Sequence, residues 1–202
     1  MKRALLLSLL LALSAAAAGQ TAPQAIGSTQ EMCSGGPVVA DWGNKLGQLA
    51  NTTEGKIFKE VRHELLVLPY YSLFDDLEYC VQGRTVVLSG TLTSQHSVTK
   101  EDAQAAVKRI EGVEQVTNNI KILSPNPLDQ RAREQVYRKL VNTGGLSQYF
   151  WEAAPSIHII VDNLHLTLKG YVNSEGDKNL ASITAKQISS LFSVTNELQV
   201  VK

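Results

Sequence analysis

Val86-Val87-Leu88-Ser89-Gly90-Thr91-Leu92-Thr93-Ser94 and Leu166-Thr167-Leu168-Lys169-Gly170-Tyr171-Val172-Asn173-Ser174 are one pattern written twice, 80 positions apart. In each, apolar residues alternate with polar ones around a central glycine, the period of a half-buried strand. Further on, Val113-Glu114-Gln115-Val116-Thr117-Asn118-Asn119-Ile120-Lys121-Ile122 matches Leu191-Phe192-Ser193-Val194-Thr195-Asn196-Glu197-Leu198-Gln199-Val200, now 78 positions apart. A fixed-period self-match of this kind is the signature of a duplicated structural unit. The two-residue change of offset is expected in the stretch between second strand and helix, where loops absorb length changes.

Working outward, each copy has the same element order. Leu77, Tyr79 and Val81 alternate before Gly83, as Ile157, Ile159 and Val161 do before Asn163. Gly83 and Asn163 tolerate left-handed backbone, so each pair of strands reads as a hairpin. Ala103, Ala106, Val107 and Ile110 make a helical stripe, matched by Leu180, Ile183, Thr184, Ile188 and Leu191. Gly112 suits a helix C-terminus. A last strand closes each unit, at Val116–Ile122 and Val194–Val201. Upstream lie two more amphipathic helices. Ile57, Val61, Leu65 and Leu68 form one apolar face, ended by Pro69; Ala132, Val136 and Leu140 form the other, ended by Gly144-Gly145. The prediction is an α+β chain of two tandem α-β-β-α-β units, each a three-stranded sheet with two helices packed on one face.

The N-terminus reads as a secretory signal: Lys2 and Arg3, an apolar run from Ala4 to Leu13, then Ala16-Ala17-Ala18. The run is shorter than the ~20 residues a membrane span needs. The expected organisation is a signal peptide over 1–18, a flexible segment over 19–52 with a helical turn around Trp42 to Leu49, units over 53–123 and 128–202, and a stiff Ser-Pro-Asn-Pro link over 124–127. Export to an oxidising compartment, the periplasm or outside the cell, leaves Cys33 and Cys80 able to pair, or to remain two unpaired thiols.

The strand-turn-strand ending in Leu-x-Gly, the Ala-bearing helix and the Gly-Val-x-x-Val-x-Asn run resemble the BON family (bacterial OsmY and nodulation domain). The residues that carry the resemblance are Gly83, Gly90, Gly112, Val113 and Asn118 in the first copy, Gly170 and Asn196 in the second. The second copy departs from the pattern with Ser190-Leu191 in place of Gly112-Val113. A signal followed by two such units looks like the soluble, osmotically inducible periplasmic proteins. The resemblance implies envelope maintenance or stress protection, contact with phospholipid, and no catalytic activity.

Composition bears on nucleic acid. Lys+Arg and Asp+Glu each total 19, so no bulk field draws in nucleic acid. His63, His96, His158 and His165 stand in no metal-ligand spacing, although His158 and His165, on facing strands of one hairpin, could approach each other. No cofactor and no small-molecule substrate is implied. Aromatic and basic residues carry what functional signal there is. Tyr70-Tyr71-Ser72-Leu73-Phe74 follows the first helix of copy one, and Tyr149-Phe150-Trp151 the first helix of copy two. Beside the latter, Arg131, Arg133, Arg138 and Lys139 make that helix basic. Aromatics next to cations suit a membrane interface with anionic head groups. They also serve as core caps and solvated faces, so the expected partner is membrane phospholipid or an envelope protein, the latter by strand addition at the last-strand edges.

Overall fold

The computed structural model describes residues 51–93, 99–151 and 155–201. The expected signal and the rest of the chain up to residue 50, including Cys33 and the turn expected around Trp42, lie outside the described residues; Cys80 is not a free thiol.

The first repeat runs α1 (Thr53–Leu66), β1 (Asp76–Gln82), β2 (Thr85–Leu92), α2 (Lys100–Lys108), β3 (Gln115–Asn118) and β4 (Lys121–Ile122). The second runs α3 (Pro127–Val141), a 3-10 turn at Ser147–Phe150, β5 (Ile157–Asp162), β6 (His165–Val172), α4 (Glu175–Lys186), β7 (Ser193–Asn196) and β8 (Gln199–Val200). In each, the first two strands form an antiparallel hairpin and the last strand joins parallel to the second. The architecture is α+β, written twice.

Each helix begins where its sequence supplies an acceptor. Thr52, Thr99, Asn126 and Ser174 cap α1 to α4, and Thr99 with Asp102 completes a reciprocal capping box. Ile57, Val61 and Leu65 of α1 pack with Ala103, Val107 and Ile110 of α2 on Leu77, Tyr79, Val86, Leu88 and Leu92. Ala132, Val136 and Leu140 of α3 and Ala181 and Ala185 of α4 cover Ile157, Ile159, Val161, Leu166, Leu168 and Val172 in the same way. One position departs from the expected stripe. Ile183 is exposed, and the buried residues of α4 are Ala181, Thr184 and Ala185, the small-residue counterparts of Ala103, Ala106 and Val107.

The predicted last strand is broken in both copies, so each sheet has four strands by count. Asn118 and Asn196 make the break. Their amide nitrogens donate to helix carbonyls, Lys100 O at 2.8 Å and Lys178 O at 2.7 Å, while their side-chain oxygens accept from the N–H groups of Ile120 and Leu198. The side chain thereby takes over a ladder position and ties the strand to the start of the helix.

Gly90 and Gly170 explain the centre of the repeated stretch. Both take positive φ, +102° and +108°, and a Cβ there would fall 2.1 Å from Asp76 O and 2.0 Å from Ser156 O. Only glycine lets the first strand cross the second this closely.

The shift from 80 to 78 is not one two-residue gap. Thr99 follows Gly90 by nine positions, Ser174 follows Gly170 by four, and α4 has 12 residues against nine in α2. A shorter loop and a longer helix nearly cancel.

Candidate functional surface

The helix-free faces of the two sheets differ at equivalent positions. The first repeat presents Glu78 and Ser89 where the second presents His158 and Lys169. These faces meet. Lys169 Nζ donates to Asp76 Oδ2 at 2.8 Å and Glu78 Oε1 at 2.7 Å, and lies 4.0 Å from Glu197 Oε2. His158 Nδ1 donates to the Asp75 carbonyl at 2.7 Å, and its ring lies 5.8 Å from that of Tyr71. The Ile159 N–H donates to Leu73 O at 2.8 Å, adding a rung from the first repeat to the edge of β5. Leu73 and Phe74 pack against the core of the second repeat, with Phe74 edge-on to Tyr137 at 6.5 Å.

Burial sets the electrostatics of this junction. It works against the Lys169 charge, yet Asp76 and Glu78 outweigh it and hold the ammonium above the ordinary lysine range. Asp76 is raised, by burial first and by Glu78 second. His158 is lowered, because burial disfavours the imidazolium more than Asp76 favours it. The strands place His158 opposite Lys169 and His165 opposite Asp162, so the two histidines do not meet.

Asp75 is a structural carboxylate. It is fully buried and accepts from the N–H and hydroxyl of both Thr93 and Ser72, closing the entry to β1 onto the end of β2.

The structure divides the aromatic and basic residues of the second repeat. Tyr149 is buried, its hydroxyl donating to Asp177 Oδ2 at 2.7 Å and accepting from Asn173 N–H. Arg133 is buried too and donates to Val161 O at 2.6 Å; burial pushes its guanidinium below the ordinary arginine range. Both therefore leave the accessible surface, because a small core recruits every long side chain that can reach it. Phe150 packs edge-on against Tyr137 at 5.7 Å. Trp151 is 76% exposed, and Arg131, Arg138 and Lys139 are exposed on α3. A groove of about 420 Å³ beside them is lined by Gln135, Arg138, Lys139, Asn142, Gln187 and Ile188. The corresponding groove of the first repeat, about 940 Å³, carries mixed charge from Lys56, Glu60, Glu64, Arg84, Arg109 and Glu111.

Of the motif residues, Gly83 and Gly112 take positive φ, Val113 packs on the first core, and Asn118, Asn196, Gly90 and Gly170 act as described. Sequence reading missed Asp129. Its buried carboxylate accepts from the N–H groups of Asn163 and Leu164, at 2.9 and 2.8 Å, holding a turn in which both residues have positive φ. It also missed exposed Phe192, whose ring lies 5.8 Å from that of His165. Among the described residues no cluster of His, Cys, Asp and Glu is arranged to hold a metal ion, and no helix is long and apolar enough to cross a membrane.

The model of the BON domain matches the chain twice, over residues 75–124 and 128–202. The chain belongs to the BON-domain family. Its second match takes in the first helix of the repeat, whereas the first match begins after α1. Among curated proteins no match is found. The solved structures to which the chain is similar include two of one protein. One is the C-terminal domain of CdsD, the structural protein of the Type III secretion system of Chlamydia trachomatis, at 17% identity and a TM-score of 0.29, covering 80% of this chain and 65% of that one. The other is a second structure of CdsD, at 18% identity and a TM-score of 0.27, covering 78% and 60%. The chain thus spans about two thirds or less of the solved chains it matches.

Proposed function

We propose that this BON protein is a non-catalytic binding module of the bacterial envelope, exported to the periplasm, which associates with phospholipid at the membrane surface. Family membership supplies the class. The observation that carries the reading is exposed Trp151, directly after the 3-10 turn that packs on α3, the helix whose last turn is basic. Phe150 packs on Tyr137 of α3, Trp151 follows it directly and is exposed, and Arg138 and Lys139 are exposed in the last turn of the same helix. An exposed indole together with exposed cations fits the head-group layer of anionic lipid, where the ring partitions at the interface and each cation contributes about 1 kcal/mol.

Co-sedimentation of the mature chain with phosphatidylglycerol-containing vesicles tests this. Binding should weaken with salt, fall strongly in W151A and fall further when Arg138 and Lys139 become Glu. Wild type that stays in the supernatant at low salt removes the lipid reading. A second reading rests on the free outer edges of β3 and β7, each hydrogen-bonded on one side only among the described strands. A client strand could add there. Periplasmic crosslinking that recovers protein from edge positions such as Thr117 or Thr195 would favour it.

A further inference from the structure

The junction between the repeats holds a histidine that the proposed binding surface does not use. His158 sits on the helix-free face of β5, ring against Tyr71, Nδ1–H on the Asp75 carbonyl, and Lys169 directly across the hairpin. A carbonyl oxygen only accepts, so Nδ1 carries the proton and the neutral ring presents a bare Nε2. Of the carboxylates that favour a charged ring, Asp76 is engaged by Lys169, as is Glu78 beside it, and Asp75 is bonded to Ser72 and Thr93. A second proton on the ring would put a cation into the buried junction, cross-strand from an ammonium, and the pull of Asp76 and Asp75 does not make up for the loss of water.

We propose that the contact between the two BON repeats is an acid-released latch, in which protonation of His158 frees β5 from the Leu73–Asp76 segment. The sign follows from linkage. A histidine whose value in the closed state lies below its ordinary 6.5 takes up its proton more readily once the junction opens. Closure is therefore complete above about pH 6.5 and weakens as the pH falls, by up to about tenfold per pH unit until the closed-state value is reached. The described titratable groups around the ring are Asp75, Asp76, Tyr71 and Lys169, with Glu78 and Glu197 reaching it only through Lys169. Asp76 acts in the opposite direction, since a raised carboxyl takes up its proton in the closed state. Release exposes Leu73, Phe74 and the β5 edge, so acid would change what the protein presents to a partner.

The Ile159 amide reports the latch directly, because its acceptor, Leu73 O, belongs to the other repeat. The amides of Asn119 and Glu197, bonded to Leu88 O and Leu168 O within their own repeats, are internal standards. Hydrogen exchange of the mature chain from pH 7.5 to 5.5 should show the protection of Ile159 falling about tenfold relative to both standards. H158Q, whose amide can still donate to Asp75 O and which keeps Asp76 and Lys169, should flatten that fall; H165Q, altering an exposed ring, should leave it intact. Protection of Ile159 that tracks the standards in wild type overturns the proposal. So does a fall that persists in H158Q or vanishes in H165Q. An NMR titration of the wild-type His158 ring supplies a reading that needs no variant: titration at or above 6.5 also overturns the latch.

Discussion

The two repeats share a skeleton and differ at its margins. Gly90 and Gly170 meet a carbonyl at the same place, and Asn118 and Asn196 break the last strand by the same pair of hydrogen bonds. The aromatic segment after the first helix does not repeat. In the second copy Tyr149 turns into its own core, while in the first Leu73 and Phe74 cross to the core of the other copy. Equivalent strand positions carry Glu78 in one and His158 in the other, Ser89 in one and Lys169 in the other. Duplication preserved what closes each unit, and divergence fell where the units touch each other or water. A tandem repeat of identical copies would face itself with like charges; this one is complementary.

The sharpest way to break the shared part is G170A. Its Cβ would lie 2.0 Å from Ser156 O, which no rotamer relieves, and the left-handed φ adds strain. A loss of about 3 kcal/mol or more is expected in chemical denaturation, and G90A should cost as much. Unequal losses would show that the copies do not share the constraint. The divergent part breaks next. K169M leaves Asp76 and Glu78 facing each other in a partly buried junction, and a loss of about 2 kcal/mol is expected, discounted for residual solvent access. The triple variant K169M/E78S/D76N should regain most of it. S89A, the equivalent position of the first repeat, should cost less than about 0.5 kcal/mol.

The sequence carries the skeleton because it is written in periodicities. Alternation around Gly90 and Gly170 and stripes on α1 and α2 each have one local physical reading. The junction is not local. Nothing in Asp76, Glu78 and Lys169 announces that residues 91 to 93 positions apart will share one ammonium. Arg133 and Tyr149 misled for a related reason: amphipathic side chains bury or snorkel according to what lies 24 to 28 residues away, the Val161 carbonyl or the Asn173 amide. Ile183 misled because a stripe of small residues, Ala181, Thr184 and Ala185, carries less hydropathy than one exposed isoleucine, yet lets the helix sit closer. The signal for Asp129 was present. A carboxylate in a first helical turn, paired with an Asn-Leu turn that lacks glycine, calls for an acceptor at that turn.

The hairpin turns sharpen the comparison further. The first repeat places Gly83 at positive φ; the second places Asn163 and Leu164 there and holds both N–H groups with Asp129. D129A should therefore cost about 2 kcal/mol, by stranding two turn amides around a strained leucine. Adding N163G should return part of that loss, since glycine removes one of the two strained residues. N163G alone should be close to neutral. Denaturant midpoints of the three variants form a cycle, and a full additive loss would show that Asp129 does not act through the turn.

The smallest effects are expected at the hairpin tips, where the copies look least alike. Arg84 bridges Glu114 at 2.9 Å and donates to Gly112 O at the tip of the first repeat. The equivalent residues of the second are Leu164 and Phe192, the latter 75% exposed. Both members of the ion pair are more than half exposed, so E114A should change stability by no more than about 0.5 kcal/mol, and less in high salt. F192S gives up an exposed ring that contacts His165 at its edge, and should be neutral within the same limit. The two tips then differ by a surface exchange without a cost in folding, in contrast to Gly170 and Lys169. A loss above 1 kcal/mol in F192S would instead make Phe192 part of the second core, and the margin of divergence would have to be drawn further out.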